Sequence, residues 1–272
     1  MSACCMIADQ IIQIADGGLR RLLFDFLLPD NVWVDPQRIL CRVNVGNATH
    51  VHGIRSLHAS HPVAHTFTND LDPFGLLLTD ENYENMTVFN RREEKLVDTM
   101  LVGVYSCLIP HRTVFVHAAL IGLAGYGGIL FVGDSGVGKT TQAQLWAQYR
   151  GATIMNGDKV FLALRSDVPE KILAYGSPWT GSSSYRVNTR VPLRAIVSLV
   201  RRESRAIRLL SDSEAMRAFV PRIYMPGWDD RLIETVMDTL DAMLPLVPVY
   251  EMSCLPDASA VEMLERVLLN ES

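Results

Sequence analysis

Ile129-Leu-Phe-Val-Gly-Asp-Ser-Gly-Val-Gly-Lys-Thr-Thr-Gln-Ala-Gln-Leu-Trp-Ala-Gln-Tyr149 decides the fold class. Its first four residues are an apolar run of strand length, and the segment from Thr140 onward is helical in composition. Between them Gly133 to Thr140 satisfies G-x-x-x-x-G-K-[ST], the Walker-A pattern, in the strand-to-helix setting its mechanism requires. Gly136 and Gly138 admit backbone torsions closed to other residues, so successive N–H groups can turn inward and form a nest for anionic oxygens. Lys139 would place a cation at the β and γ phosphates of a nucleotide. Thr140 would offer its hydroxyl to Mg²⁺, and the helix N-terminus adds its partial positive charge to the same oxygens. The candidate nucleotide-binding set is Gly133, Asp134, Ser135, Gly136, Val137, Gly138, Lys139, Thr140 and Thr141, with Asp134 either interacting with metal or tightening the loop and Ser135 exposing its hydroxyl. The alternative, a glycine-rich helix start with no ligand, leaves a lysine facing inward-turned amides, which is costly unless an anion pairs with it.

Working outward, Val114 to Ile121 precedes the loop as a β-branched and aliphatic run. Ala152 to Met155, Phe161 to Leu164, Ala195 to Val200 and Val247 to Cys254 are further strands downstream. Ser211-Asp-Ser-Glu214 reads as a capping box. Leu232, Val236, Leu240 and Met243 mark one helix face, which Pro245 stops, and Asp257 to Leu269 reads as a terminal helix. Continuous apolar strands alternating with helices predict an α/β sheet covered on both faces.

Upstream the character changes. Val97, Leu101, Val104 and Leu108 form an amphipathic stripe that Pro110 ends. Before it, Arg38 to Val45 alternates with Ile39, Cys41, Val43 and Val45 on one side, as a half-buried strand does, and Tyr83 to Asn90 repeats the pattern weakly. His50 to Asp72 shows no clear period and reads as loops and short strands. The expected organisation is therefore a β-rich part over 1–92 and a P-loop domain over 93–272.

Composition narrows the function. The chain has 272 residues, 49% of them apolar and 20% charged, which excludes disorder as the working state. Its 25 Lys and Arg against 30 Asp and Glu give a net charge of −5, so no global positive field exists to hold nucleic acid or an anionic membrane. Any phosphate binding must be local. Five cysteines, an odd number without ligand spacing, indicate neither a disulfide framework nor a zinc site and suggest a reducing cytoplasm. The N-terminus has no basic stretch ahead of its apolar residues, which argues against a secretory signal, and the apolar window from Val116 to Val132 is broken by glycines, which argues against a membrane span. His50, His52, His58, His61 and His65 lack interleaved carboxylates and are not read as a metal site. An N-K-x-D guanine reader is absent, because Asn156-Gly-Asp-Lys159 has the wrong order, and so is an LSGGQ-like signature.

The letters around the loop resemble the catalytic domain of HPr kinase/phosphorylase and its relatives, which share a phosphoenolpyruvate-carboxykinase-like fold. The markers are Val116-His-Ala-Ala-Leu-Ile121, the GDSGVGK run, Asn156-Gly-Asp-Lys-Val160 and Tyr175-Gly-Ser-Pro-Trp-Thr-Gly181. Val191-Pro-Leu-Arg-Ala-Ile-Val197 looks most like HPr-kinase-like proteins of peptide-modification clusters. The resemblance implies an ATP- and Mg²⁺-dependent kinase acting on Ser or Thr of a peptide or small protein, with the β-rich part over 1–92 aiding substrate recognition, and hexameric relatives imply possible self-association. It places Lys139 and Thr140 at phosphate and metal, His117 beside the transfer site, and Asp158 as the second of two family aspartates. The chain departs from the pattern where Gly157 replaces the first aspartate, at Thr141 where the family has an acidic residue, and in lacking the phosphorylase signature. HPr itself is therefore not the expected substrate.

The residues also support a chemical argument. Phosphoryl transfer needs the γ-phosphate neutralised and a carboxylate to orient or deprotonate the attacking hydroxyl. Asp158, 19 residues after Lys139, has room behind one helix, a turn and a strand to reach the loop's mouth. It is the candidate base or Mg²⁺ ligand, although Asn-Gly-Asp is also good turn chemistry. His117 would assist proton transfer or bind a phosphate oxygen. Trp179 and Thr180, in a glycine-rich loop, and Arg186, the first of three arginines at intervals of four, are candidates for substrate or phosphate contact. Two alternatives stay open: a kinase of small-molecule hydroxyls, and a nucleotide sensor that lost transfer with the first aspartate.

Overall fold

A computed structural model describes residues 2–15, 17–46, 61–69, 72–90, 92–181, 183–202 and 204–270. The chain forms two compact units, 1–111 and 112–272.

The first unit is a six-stranded mixed sheet. Its strands are β1 (Ser2–Ile7), β2 (Gln10–Ala15), β3 (Ile39–Val45), β4 (His65–Asn69), β5 (Asp72–Thr79) and β6 (Asn85–Asn90), in the order β1-β2-β3-β6-β5-β4. The alternation in β3 is realised, since Cys41 and Val43 are buried and Arg42 is half-buried. After the short α1 (Gly17–Leu22), helix α2 (Leu96–Leu108) packs across β5, β6 and β3 with Met100, Val104 and Leu108 buried. The helix expected from the apolar stripe is thus present, but it completes the core of the first unit, so residues 93–111 belong there and the boundary expected at 92/93 moves to 111/112. The physical reason is that the apolar face of a lone sheet needs a covering layer. His50, His52 and His58 lie outside the described residues, while His65 stacks on Tyr83 at 4.8 Å between ring centroids.

The second unit carries β7 (Thr113–His117), β8 (Ala119–Leu123), β9 (Gly127–Val132), β10 (Thr153–Asn156), β11 (Lys159–Leu164), β12 (Ile172–Tyr175), β13 (Arg190–Leu199), β14 (Ala206–Leu209) and β15 (Val249–Ser253). Its helices are α3 (Lys139–Arg150), α4 (Asp212–Phe219), α5 (Asp230–Met243) and α6 (Ala258–Asn270). Strands β9, β13 and β15 are mutually parallel, and the remaining pairings are antiparallel. The α/β expectation holds, with a mixed sheet. Ile121, Phe131 and Val197 on one face pack with Trp146 of α3 and Leu264 of α6. Their neighbours Leu120, Leu130 and Ile196, which a strand's period of two sends to the opposite face, are buried as well, so both faces are covered. The capping box at the start of α4 forms as expected, Ser211 N donating to Glu214 Oε2 at 3.0 Å.

One feature of the sheet positions the chemistry. The run Val114 to Ile121, expected as a single strand, breaks at Ala118 into β7 and β8, and its antiparallel neighbour breaks at Gly157 and Asp158 into β10 and β11. β8 pairs with β10, and β7 pairs with β11 with His117 opposite Lys159. Ala118 N donates to Asp158 O across the break at 2.9 Å. The strand order β10-β8-β9-β13-β12-β11-β7 therefore returns on itself, and both paired breaks fall at the same point.

Candidate active site

The glycine-rich segment leaves β9 and enters α3 with Gly133, Gly136 and Gly138 at φ of 139°, 73° and 113°, the left-handed region that glycine tolerates at little cost. Lys139 folds back into this turn. Its Nζ donates to Gly133 O at 3.1 Å and to Asp134 O at 3.2 Å, and the residue is only 6% exposed. An ammonium has three protons to donate, and these carbonyls account for two. Burial holds the Lys139 pKa below its ordinary value. The nearby Arg222 charge adds to that lowering, while Asp158 and Asp134 partly offset it. The loop tip is clasped by Arg201, whose Nη2 donates to Gly136 O at 2.6 Å. Asp134 is held by Arg222, Nη1 to Oδ1 at 2.7 Å. Ser135 and Thr141 are exposed, and Val137 is half-buried.

Thr140 Oγ1 donates to Gly157 O at 3.0 Å, which ties the start of α3 to the break between β10 and β11. Asn156 shapes that break. Fully buried, it accepts the N–H groups of Asp158 and Lys159 on Oδ1 at 2.8 and 2.9 Å and donates from Nδ2 to Ser177 O at 3.0 Å. The turn chemistry of Asn-Gly-Asp and the presentation of Asp158 are therefore one device. The Asp158 Oδ1 meets His117 Nε2 at 3.0 Å. Burial alone would raise the Asp158 carboxyl; the hydrogen bond and charge of His117, with Lys159 and Lys139, outweigh it and hold the pKa below its ordinary value. His117, the adjacent pair Lys139 and Thr140, and Asp158, three separate places in the chain, are thus brought together where the two strand pairs break.

The loop after β12 closes over this point. Gly181 sits at φ 56°, and a Cβ there would strike the Asp158 carboxylate. Gly157 faces Ser183: a Cβ built on it would lie inside contact with Ser183 Oγ, 2.8 Å from Ser183 Cβ and 3.6 Å from Thr140 Cγ2. The space beside Gly157 is thus filled from the opposite loop. Gly157→Ala is expected to cost about 1–3 kcal/mol by overpacking, and Ser183→Gly should restore most of that loss. Thermal melts of the two single variants and the double variant check this coupling.

The substrate-contact expectation fails for Trp179. Its side chain is 1% exposed and meets Phe115 and Phe161 edge-on, each at 5.9 Å, so it is a core residue that anchors the loop. Thr180 is half-buried and its carbonyl accepts Ser183 N at 2.9 Å, while Arg186 forms a backbone bridge with Asn156. Arg194 donates to Tyr126 O at 3.2 Å. Sequence reasoning missed Arg222, Arg201 and Ser183, which stand in no motif and no periodic stripe. The capping box at Ser211 to Glu214 marks the start of the preceding helix and carries no information about the residues beyond its end.

The oxygen donors here, the Thr140 hydroxyl and an Asp158 carboxylate held in its ionised form, are of the hard type that Mg²⁺ takes in small number beside substrate phosphates. The donor set fits that ion.

No family model and no curated protein matches the sequence. Among solved structures the chain is similar to the Hpr(Ser) kinase/phosphatase from Coxiella burnetii, with 14% identity and a TM-score of 0.31 over 58% of this chain and 94% of that one. Likeness at that level decides nothing about chemistry, which rests on the site's own geometry. No helix among the described residues is long and apolar enough to cross a membrane.

Proposed function

We propose that the unit 112–272 binds MgATP at Gly133 to Thr141 and transfers the γ-phosphoryl group to a hydroxyl, with Ser or Thr of a peptide or small protein as the acceptor class. The observation that carries this reading is an ionised carboxylate, Asp158, held at 3.0 Å by His117 beside a buried, anion-ready lysine. Thr140 and Asp158 would hold the metal, which when bound would neutralise phosphate charge. The loop amides and Lys139 grip the phosphates. Asp158 takes the proton of the attacking hydroxyl, and His117 orients the carboxylate. The oxygen–phosphorus bond to the acceptor forms as the β–γ bridging bond breaks, and the electron pair leaves with ADP. Lost repulsion between two adjacent carboxylates, now that Gly157 stands beside Asp158, is consistent with a single base that stays ionised. The peptide acceptor is supported by the sequence resemblance alone, as is the assignment of 1–111 to substrate recognition.

The test is calorimetric titration with MgATP, MgGTP and pyrophosphate, followed by incubation with γ-labelled ATP and either Ser/Thr peptides or hydroxylated small molecules. Heat with MgATP and label in peptide are expected. No heat with any of the three overturns the nucleotide reading, label only in small molecules overturns the acceptor class, and tight binding without transfer overturns catalysis in favour of a sensor.

A further inference from the structure

Arg222 comes after α4 in a segment that the P-loop pattern does not predict. Ile223 bridges Val116 in antiparallel register, and Tyr224 N donates to Phe115 O at 2.9 Å. Continuing that register by one residue sets Arg222 opposite His117, whose imidazole holds Asp158. Tyr224 packs on Phe115 at 4.8 Å between ring centroids, and burial together with the Asp158 charge pushes its phenol up to about 12. The segment is therefore one wall of the site, across from the loop that carries Gly181 and Ser183.

The guanidinium is poorly served by the protein. Its side chain is 24% exposed, and the Asp134 carboxylate it meets is 82% exposed. A pair with one partner in water contributes little to stability. Its Nε is buried and finds no hydrogen-bond partner among the described residues. A mostly buried guanidinium with five N–H donors, one of them buried and unmatched, is costly unless an anion completes it. The second cation it approaches, Lys139, is likewise desolvated and has two carbonyls as its hydrogen-bond partners. Two such cations beside the turn whose glycines Gly133, Gly136 and Gly138 sit at positive φ, with the Asp158 carboxylate nearby, define where the transferred phosphoryl group would sit.

We infer that Arg222 is a catalytic residue that contacts the γ-phosphoryl group of the bound nucleotide, with Asp134 as the positioning residue that aims it. The inference rests on the kinase reading above. Asp134 holds Nη1, and the remaining donors close on the γ-phosphate as negative charge shifts during transfer. Such a contact discriminates ATP from ADP, because only ATP carries the group it grips.

The experiment measures the dissociation constants of MgATP and MgADP and the single-turnover transfer rate for wild type, Arg222→Ala and Arg222→Lys. For Arg222→Ala the expected results are MgADP affinity within about twofold of wild type, MgATP affinity weakened by about tenfold or more, and a transfer rate down by about 10²–10³, as for loss of one transition-state donor. Arg222→Lys keeps the charge without the fork and should fall between the two. It also serves if the Ala variant does not fold. If wild type binds neither nucleotide, the kinase reading fails. If wild type binds and transfers, while both variants keep its ATP-to-ADP affinity ratio and its rate within twofold, that reading stands and the role of Arg222 is overturned. A merely structural arginine would shift both affinities alike.

Discussion

Lys139→Ala is expected to weaken MgATP binding by about 10² or more while leaving the melting temperature equal to or above that of the wild type. The two effects have opposite signs for one reason. The ammonium is buried against two carbonyls and has lost hydration, which is why its pKa lies below the ordinary lysine value. A cation whose folded-state pKa is depressed penalises folding while it is charged. That penalty fades as pH rises through the lowered value, and the alanine variant removes it at every pH. Phosphate oxygens restore what burial took away, and charge-assisted hydrogen bonds of about 1.5–3 kcal/mol each make a hundredfold loss the natural scale. Wild-type affinity should also decline on the alkaline side earlier than an unperturbed lysine dictates. Calorimetry and thermal melts across pH check both statements; unchanged affinity in the variant would mean that the glycine turn holds no polyanion.

Asp158→Asn is expected to lower the transfer rate by about 10²–10⁴, the range for loss of a general base, with MgATP affinity within about tenfold of wild type. Asparagine preserves the shape, and it can still accept a hydrogen bond from His117, but it cannot take a proton. The folded-state pKa of Asp158 is depressed, so its stabilising contribution is present above the unfolded carboxylate value and is lost as pH falls through the lower folded value. The acid limb of kcat/KM should accordingly lie below the ordinary carboxylate range. Urea unfolding of wild type and variant from neutral to acidic pH should show their stabilities converging at the acid end. An undiminished single-turnover rate in Asp158→Asn would remove this carboxylate from the chemistry.

Much of the architecture was legible before the structure. Helix α2, the capping box of α4, the buried stripe of α5 and the strand–loop–helix around Lys139 are local features in which spacing, turn chemistry and burial agree. The hairpin of β1 and β2 was not legible, because its turn residues are Ala8 and Asp9 at positive φ, where an Asn-Gly or Gly pair would have announced it. Trp179 misled for the opposite reason. Its place in a glycine-rich loop suggested contact with substrate or phosphate, whereas the ring is the loop's anchor in the core.

The amino-acid order by itself determined the glycine turn between a strand and a helix, the cation within it and a carboxylate after the next helix, since each depends on residues close together in the chain. Only the tertiary structure decided that His117 meets Asp158, that Ser183 fills the space beside Gly157, and that Arg222 reaches Asp134. Those partners lie on different elements. They meet because two antiparallel strand pairs break at one point and two loops fold over it, a long-range packing outcome that leaves no periodicity in the sequence.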